Sequence, residues 1–379
     1  MKYPHLSKRN FLVGFLIAGS VALSLLYLSK HLSEHLFPTL KTTLQITARI
    51  DRTDSQKILW SPDGRYIAFD GRPPRSRTTN FEITVWDNVE KRIVATTPRA
   101  FTGNYFSMGF VPESLEIAFP VPTKNGAQEK NAFGIWDWRT QAGLRLFKGP
   151  YEGSNANANV AHNIALTPDR KSAVVFFGNN RRGGVVAAYD LSSQEQRIVH
   201  KIEYNGITAL AVSPDGRLLA LGSYNGDLSL IRLNVEEPPI IIKAHGGILT
   251  GLAFSPDARL LATGGNEGQP AESGETDGKI AQTAPHTIRL WDLEMQKEVR
   301  SYEGPASTRI NDLVWSPDGR FIASAESNGT VRLLDATSSK NAEIIARFPK
   351  YAFTVAFSPD SKMLAVGGDA PTAIIQLEK

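Results

Sequence analysis

His31-Leu32-Ser33-Glu34-His35 spells H-x-x-E-H, a spacing that sets two imidazoles on one helix face with a carboxylate beside them. In inverted zinc peptidases that arrangement holds a metal and a general base. Here it abuts an apolar run and no catalytic domain surrounds it. The expectation is therefore a short amphipathic stretch ended by Pro38. The histidines farther along, His162, His200, His245 and His286, fall in separate repeats without ligand spacing. The chain has no cysteine, which removes disulfides, thiolate zinc ligands, iron–sulfur clusters and a thiol nucleophile. G-x-S-x-G does not occur, and no further domain could carry a hydrolase triad. No catalytic residue, metal or cofactor is expected.

The elements that must position any binding residues begin with the charge. The 379 residues carry a formal charge of +4, and the pI is near 9.1. Lys2, Lys8, Arg9, Lys30 and Lys41, less Glu34, account for the whole excess, so residues 42–379 are neutral. A general polyanion binder concentrates Lys and Arg on its folded body, so no nucleic-acid partner is expected. Hydrophobic content of 41% and charged content of 21% suit a globular chain with a real core.

Residues 11–29, FLVGFLIAGSVALSLLYLS, contain no charge. As a helix they would span roughly 28 Å, close to a hydrocarbon core of about 30 Å. The basic flank Lys2, Lys8 and Arg9 precedes them, which puts the N-terminus in the cytoplasm and the body across the membrane, on the periplasmic or lumenal side. The small residues lie inside the run and bulky Leu25–Leu28 follows, so an uncleaved signal-anchor is expected rather than a signal peptide. Ser7-Lys8-Arg9-Asn10-Phe11-Leu12 resembles a twin-arginine export signal with Lys at the first Arg, and an ordinary basic flank explains it as well. The chain thus divides into 1–41 (basic tail, transmembrane helix and linker) and 42–379.

Residues 42–379 are dominated by one recurring turn. Ser61-Pro62-Asp63-Gly64 is followed by copies at Ser213, Ser255, Ser316 and Ser358, with weaker ones at Val111-Pro112-Glu113-Ser114 and Thr167-Pro168-Asp169-Arg170. Their prolines are 50, 56, 46, 42, 61 and 42 residues apart, and 42 suits a four-stranded propeller blade. A large apolar residue precedes each copy: Trp60, Phe110, Leu166, Val212, Phe254, Trp315 and Phe357. A third strand then ends in Trp86-Asp87, Trp136-Asp137, Tyr189-Asp190, Trp291-Asp292 or Leu334-Asp335. The seventh repeat lacks an outer strand, while Thr43–Asp51 is a lone period-two strand ahead of the first. That strand is expected to complete the seventh blade and close the ring.

In register, these motifs resemble the WD-repeat (WD40) β-propeller family over almost all of 42–379. Trp60-Ser61-Pro62-Asp63-Gly64 is also similar to periplasmic Tol-type propellers. The resemblance implies an all-β, seven-bladed propeller and a protein-interaction scaffold without catalysis. It also implies a structural blade network, which the fifth blade keeps as His245, Thr263, Trp291 and Asp292, with the network's own acid displaced by an insertion. Alternatives are an envelope sensor or assembly factor binding a small ligand or glycan in the channel, and a propeller enzyme.

In a propeller, strands a to d run outward from the channel, so a–b and c–d turns share one face and b–c and d–a loops share the other. The Ser-Pro-Asp turns are a–b turns and short. The long segments Arg72–Asn80, Val121–Asn131, Asn179–Gly184 and Asn266–His286 are expected as b–c loops, and Arg99–Tyr105 and Pro150–His162 as d–a loops. A binding face for a protein partner is expected there. Its candidates are Arg72, Arg75, Arg77, Arg99, Phe101, Tyr105, Tyr151, Arg181 and Arg182, with Lys124, Lys130 and Phe106 nearby. Glu267, Glu272, Glu275 and Asp277 form an acidic sector opposite. The closing strand would start on the short-turn face, which would then look toward the bilayer.

Overall fold

Each Ser-Pro-Asp turn closes through three local bonds. In the first copy Ser61 Oγ donates to Asp63 Oδ1, Arg65 N–H donates to the same oxygen (3.0 Å), and Tyr66 N–H donates to Ser61 Oγ (2.8 Å). The set recurs at Ser213, Ser255, Ser316 and Ser358, and with Thr167 as the hydroxyl. In the five serine copies the next residue is left-handed: Gly64, Gly216 and Gly319 at φ 72°, 71° and 76°, Ala258 and Ser361 at 58° and 59°. Glycine adopts this freely, whereas an L side chain costs roughly 1–2 kcal/mol there.

The computed structural model describes residues 45–72, 82–97, 107–111, 114–121, 131–141, 143–151, 161–169, 171–179, 183–203, 206–268, 284–338 and 342–377. The tail 1–41, including segment 11–29 and the H-x-x-E-H motif, lies outside them. Among the described residues no helix is long and apolar enough to cross a membrane.

The turns join short strands into seven antiparallel four-stranded sheets. β1 (Gln45–Ile50) comes first. Blade 1 holds β2 (Ile58–Trp60), β3 (Tyr66–Gly71), β4 (Glu82–Asp87) and β5 (Arg92–Thr96). Blade 2 holds β6 (Gly109–Phe110), β7 (Ile117–Pro120), β8 (Asn131–Trp136) and β9 (Leu144–Lys148). Blade 3 holds β10 (Ala161–Leu166), β11 (Ser172–Asn179), β12 (Gly183–Asp190) and β13 (Gln196–Ile202). Blade 4 holds β14 (Ile207–Val212), β15 (Leu218–Ser223), β16 (Asp227–Arg232) and β17 (Ile240–Lys243). Blade 5 holds β18 (Leu249–Phe254), β19 (Leu260–Asn266), β20 (Pro285–Asp292) and β21 (Lys297–Ala306). Blade 6 holds β22 (Ile310–Trp315), β23 (Phe321–Glu326), β24 (Thr330–Asp335) and β25 (Glu343–Arg347). Blade 7 holds β26 (Ala352–Phe357), β27 (Met363–Gly368) and β28 (Thr372–Gln376), and β1 supplies its fourth strand.

Apolar layers fill the joints between neighbouring blades, so the core is a ring of seven clusters. Polar side chains bind the joints at two radii. On the inner strands of blades 4, 5 and 6, the register slips at the second residue and its side chain reaches the next blade. Thr208 donates to Leu249 O, Thr250 to Ile310 O (2.5 Å), and Asn311 Nδ2 to Ala352 O (2.7 Å). On the outer strands Arg145 donates to Leu191 O (2.6 Å), Arg197 to Leu233 O (2.8 Å) and Arg300 to Ala336 O.

Two loop boundaries differ from expectation. Asn179 pairs with Gly183, so both residues belong to strands and the connection is 180–182. Gly183 sits at φ 85°, and a Cβ there would lie 2.2 Å from Ile202 O, so the turn needs glycine. Asn266 pairs with His286, so both residues belong to strands and the connection is 267–284.

The ring closes as expected. β1 pairs antiparallel with β28, from Gln45 opposite Gln376 to Ile50 opposite Thr372. At the channel, Lys57 Nζ lies 3.3 Å from Asp312 Oδ2, which also accepts from Thr354 Oγ1 (2.8 Å) and Val355 N–H (3.2 Å). One carboxylate thus ties blades 6, 7 and 1. Beside it Asp70 is fully buried, with Oδ1 accepting from Gln56 and Lys57 N–H (2.7 and 2.8 Å) and Oδ2 unpartnered. Burial pushes its carboxyl up to about 8, although these two donors and Lys57 oppose the rise.

Two outcomes follow from these local costs. Ala258→Gly is expected to raise stability by about 1 kcal/mol, read as a higher urea midpoint at unchanged m, since glycine relieves the left-handed strain. Asp70 holds a proton in the folded state that the unfolded chain releases above pH ~4. Its contribution is therefore complete below pH ~4 and is lost as pH rises toward about 8, at up to roughly 1.4 kcal/mol per pH unit. Asp70→Asn should flatten that slope in urea midpoints measured between pH 5 and pH 8, and an unchanged slope would contradict the assignment.

Candidate functional site

The ring has two unlike ends. One carries the Ser-Pro-Asp turns and the c–d turns, where Asp87, Asp137, Asp190, Asp292 and Asp335 each accept backbone N–H bonds from residues two or three ahead. Asp292 Oδ1 takes Glu294 and Met295 N–H at 3.0 and 2.8 Å. These aspartates cap turns. The other end gathers the connections 72–81, 121–130 and 267–284 between second and third strands, and 97–108 and 149–160 between blades.

Of the nine expected partner contacts, Arg72 and Tyr151 are described, while Arg75, Arg77, Arg99, Phe101, Tyr105, Arg181 and Arg182 lie outside the described residues. So do Phe106, Lys124, Lys130, Glu272, Glu275 and Asp277. Arg72 starts the first b–c connection, bridges to Thr53 and pairs with Asp54 at 3.1 Å. It holds the blade 7 to blade 1 crossing. Tyr151 packs half-buried against the core between blades 2 and 3, and burial raises its hydroxyl pKa.

The histidines are not distributed one per blade. His162 and His200 lie on the inner and outer strands of blade 3, and His245 and His286 both serve blade 5. Among the described residues no group of three His, Asp or Glu is placed to hold a metal.

The blade 5 network is complete, with a different acid from the expected one. Trp291 Nε1–H donates to Thr263 Oγ1 (3.0 Å), and Thr263 Oγ1 lies 2.8 Å from His245 Nε2. The Glu267 carboxylate can only accept, so His245 Nε2 accepts from the Thr263 hydroxyl and the proton of the neutral ring lies on Nδ1. That nitrogen faces Glu267 Oε1 and Thr287 Oγ1, each at 3.1 Å. Thr287 also donates to Glu267, and Arg289 Nη2 lies 3.1 Å from the same carboxylate. Glu267 therefore leaves the acidic loop sector and becomes the network's acid. Burial would raise its pKa, but the His245 and Thr287 bonds and Arg289 outweigh that and hold it at about 2. Burial also lowers the His245 pKa, against Glu267, which keeps the ring neutral. Gly265 makes room: a Cβ there would sit 2.5 Å from the His245 ring. Spacing hid Glu267, because it directly follows β19 where the insertion begins.

His286 joins blades 5 and 6. Its Nδ1–H donates to Thr308 Oγ1 (2.6 Å), which in turn donates to Pro305 O. Its Nε2 lies 3.5 Å from Glu326 Oε1, which accepts from Arg332 Nε at 2.6 Å. These imidazoles and carboxylates are committed to joining strands and blades.

Three segments match the WD domain, G-beta repeat family: residues 196–231, 236–269 and 296–335. Three stretches of this seven-bladed propeller thus match WD40 repeats. It is 32% identical over 81 residues to the WD repeat-containing protein SL1-17 of Schistosoma mansoni, 21% of this chain and 26% of that protein. It is 26% identical over 109 residues to Protein tipD of Dictyostelium discoideum, 27% of this chain and 18% of that one. Over 96 residues it is 31% identical to Protein transport protein SEC31 of Eremothecium gossypii, 25% of this chain and 8% of that one. The chain spans about a quarter or less of the length of these relatives.

Removing the shared hydroxyl tests the network. Thr263→Ala leaves the Trp291 indole N–H and His245 Nε2 without partners in a dry interior and should cost about 1–3 kcal/mol by urea denaturation. Thr263→Ser should recover most of it.

Proposed function

We propose that this WD40-repeat propeller is a non-catalytic scaffold for protein–protein interaction, held at a membrane by its N-terminal segment, with its loop-rich end presented to a protein partner on the extracytoplasmic side. The observation that carries the reading is the asymmetry of the ring. Its long connections gather at one end of a frame braced at every joint by an apolar cluster. Binding loops on a rigid scaffold keep their geometry without an ordering cost for the frame. The commitment of His245, Glu267, His286 and Glu326 to bonds between strands favours binding over catalysis.

The anchor reading rests on the uncharged run 11–29 and the basic residues before it. The register of β1 supports its orientation. Gln45 pairs with Gln376 at the short-turn end, so the preceding chain leaves from there and the loops point away from the bilayer.

Two measurements test this. A C-terminal alkaline phosphatase fusion is expected to be active and a C-terminal green fluorescent fusion dark, and the reverse would overturn the placement. In crosslinking pull-downs, Arg75, Arg77, Arg181 and Arg182 changed together to Glu should lose a partner that the parent chain retains, with an unchanged melting curve.

A further inference from the structure

Six blades repeat one core pairing that the third reverses. An alanine on the second strand faces a larger aliphatic residue on the third: Ala68 opposite Val85, Ala118 opposite Ile135, and Ala220 opposite Leu230. Ala262 opposite Leu290, Ala323 opposite Leu333, and Ala365 opposite Ile374 continue the series. Blade 3 has Val174 opposite Ala188. Both side chains belong to the apolar layer facing blade 4. Moving bulk inward to the second strand leaves the third strand short of it, in an interior that is otherwise close-packed.

A cavity of about 440 Å³ lies at that joint, between blades 3 and 4 and open at the short-turn end. Ala188 and Leu233 give it an apolar wall, with Val174 packed behind them in the same layer. Asp169, Asp190, Glu195 and Asp215 also line it. Arg197 is the single cation among its lining residues, and it donates to Leu233 O at 2.8 Å. Three of the acids are fixed in direction, because one oxygen of each is held by its own turn: Asp169 by Thr167, Asp190 by Ser192, and Asp215 by Ser213. These bonds keep the carboxyls ionised. The Thr167 hydroxyl lowers Asp169, and the Ser192 hydroxyl holds Asp190 at about 2. Burial pushes Asp215 up, but the Ser213 and Arg217 N–H bonds more than offset it.

We propose that this cavity receives the side chain of a lysine or arginine from a basic segment of a partner protein. The aliphatic stem lies along the Ala188–Leu233 wall and the cationic head sits among the carboxylates, the division of labour that long basic side chains suit. The two halves of the site, apolar depth and acidic mouth, match one such side chain and disfavour an acidic or purely apolar one. The site stands apart from the loop-face reading, since it uses the opposite end of the ring.

The test uses the full chain and a fluorescein-labelled alternating Lys-Gly peptide, its Arg-Gly counterpart and a Glu-Gly control, followed by anisotropy. The basic peptides should bind, the control should not, and added salt should weaken binding. The double variant V174A/A188L restores the pairing of the other blades and fills the space, so it should keep the fold and weaken binding by at least about tenfold. D190N/D215N keeps the turn acceptors, removes two charges and should weaken binding similarly. If V174A/A188L melts early, D190N/D215N decides alone. Absence of binding by the parent chain, equal binding of the Glu-Gly control, or undiminished binding in the folded variants would overturn the proposal.

Discussion

Pairing of β1 with β28 is the interaction on which the rest of the molecule depends. Seven blades in sequence each contact the next, and such an array leaves two sheet edges and two unpacked faces unless its ends meet. The hydrogen bonds of Gln45–Ile50 give blade 7 its outer strand, and the residues just after them cross directly into blade 1. The crossing is crowded with polar fasteners: Asp54 N–H on Gly368 O, Ser55 against Thr372, Arg72 on Asp54, and Lys57 on Asp312. Charge is also gathered at the joint of blades 5 and 6, where Glu326 meets His286 and Arg332. Other fasteners are a hydroxyl, an amide or a guanidinium reaching a carbonyl.

Inward-facing carboxyls are handled in three ways here, and the differences are informative. Asp312 accepts from a lysine, a hydroxyl and a backbone N–H, so its desolvation is offset. Glu267 is set between an imidazole, a hydroxyl and an arginine and stays ionised. Asp70 has backbone donors for one oxygen only and stays protonated. The same side-chain chemistry therefore serves as brace, network acid and neutral acceptor according to how many donors the neighbouring strands supply.

Much of this was legible in the sequence. The Ser-Pro-Asp spacing gave blade number, strand order and the role of the closing strand, because each is fixed by local turn chemistry and period-two alternation. The Trp291–Thr263–His245 constellation was readable for the same reason. What escaped depends on register or distance. Glu267 could not be assigned without knowing where β19 stops. The brevity of the connection after Asn179 depends on two glycines that let the strands approach. The arginine clasps become visible only when Arg145, Arg197 and Arg300 are seen opposite Ile135, Ala188 and Leu290. The reversed Val174–Ala188 pair was equally present in the sequence, and it reads as an exception only after the other six pairs are aligned.

The closing strand also sets an order of events in time. Gln45 emerges from the ribosome early and Gln376 late, so β1 has no partner for nearly the whole of synthesis. Blades 1 to 6 can assemble from contacts with immediate neighbours, at short loop-closure distances. The final step alone must bring together ends separated by most of the chain, which makes it the slowest kind of contact to form. Until then an unpaired strand and an open sheet edge are exposed together.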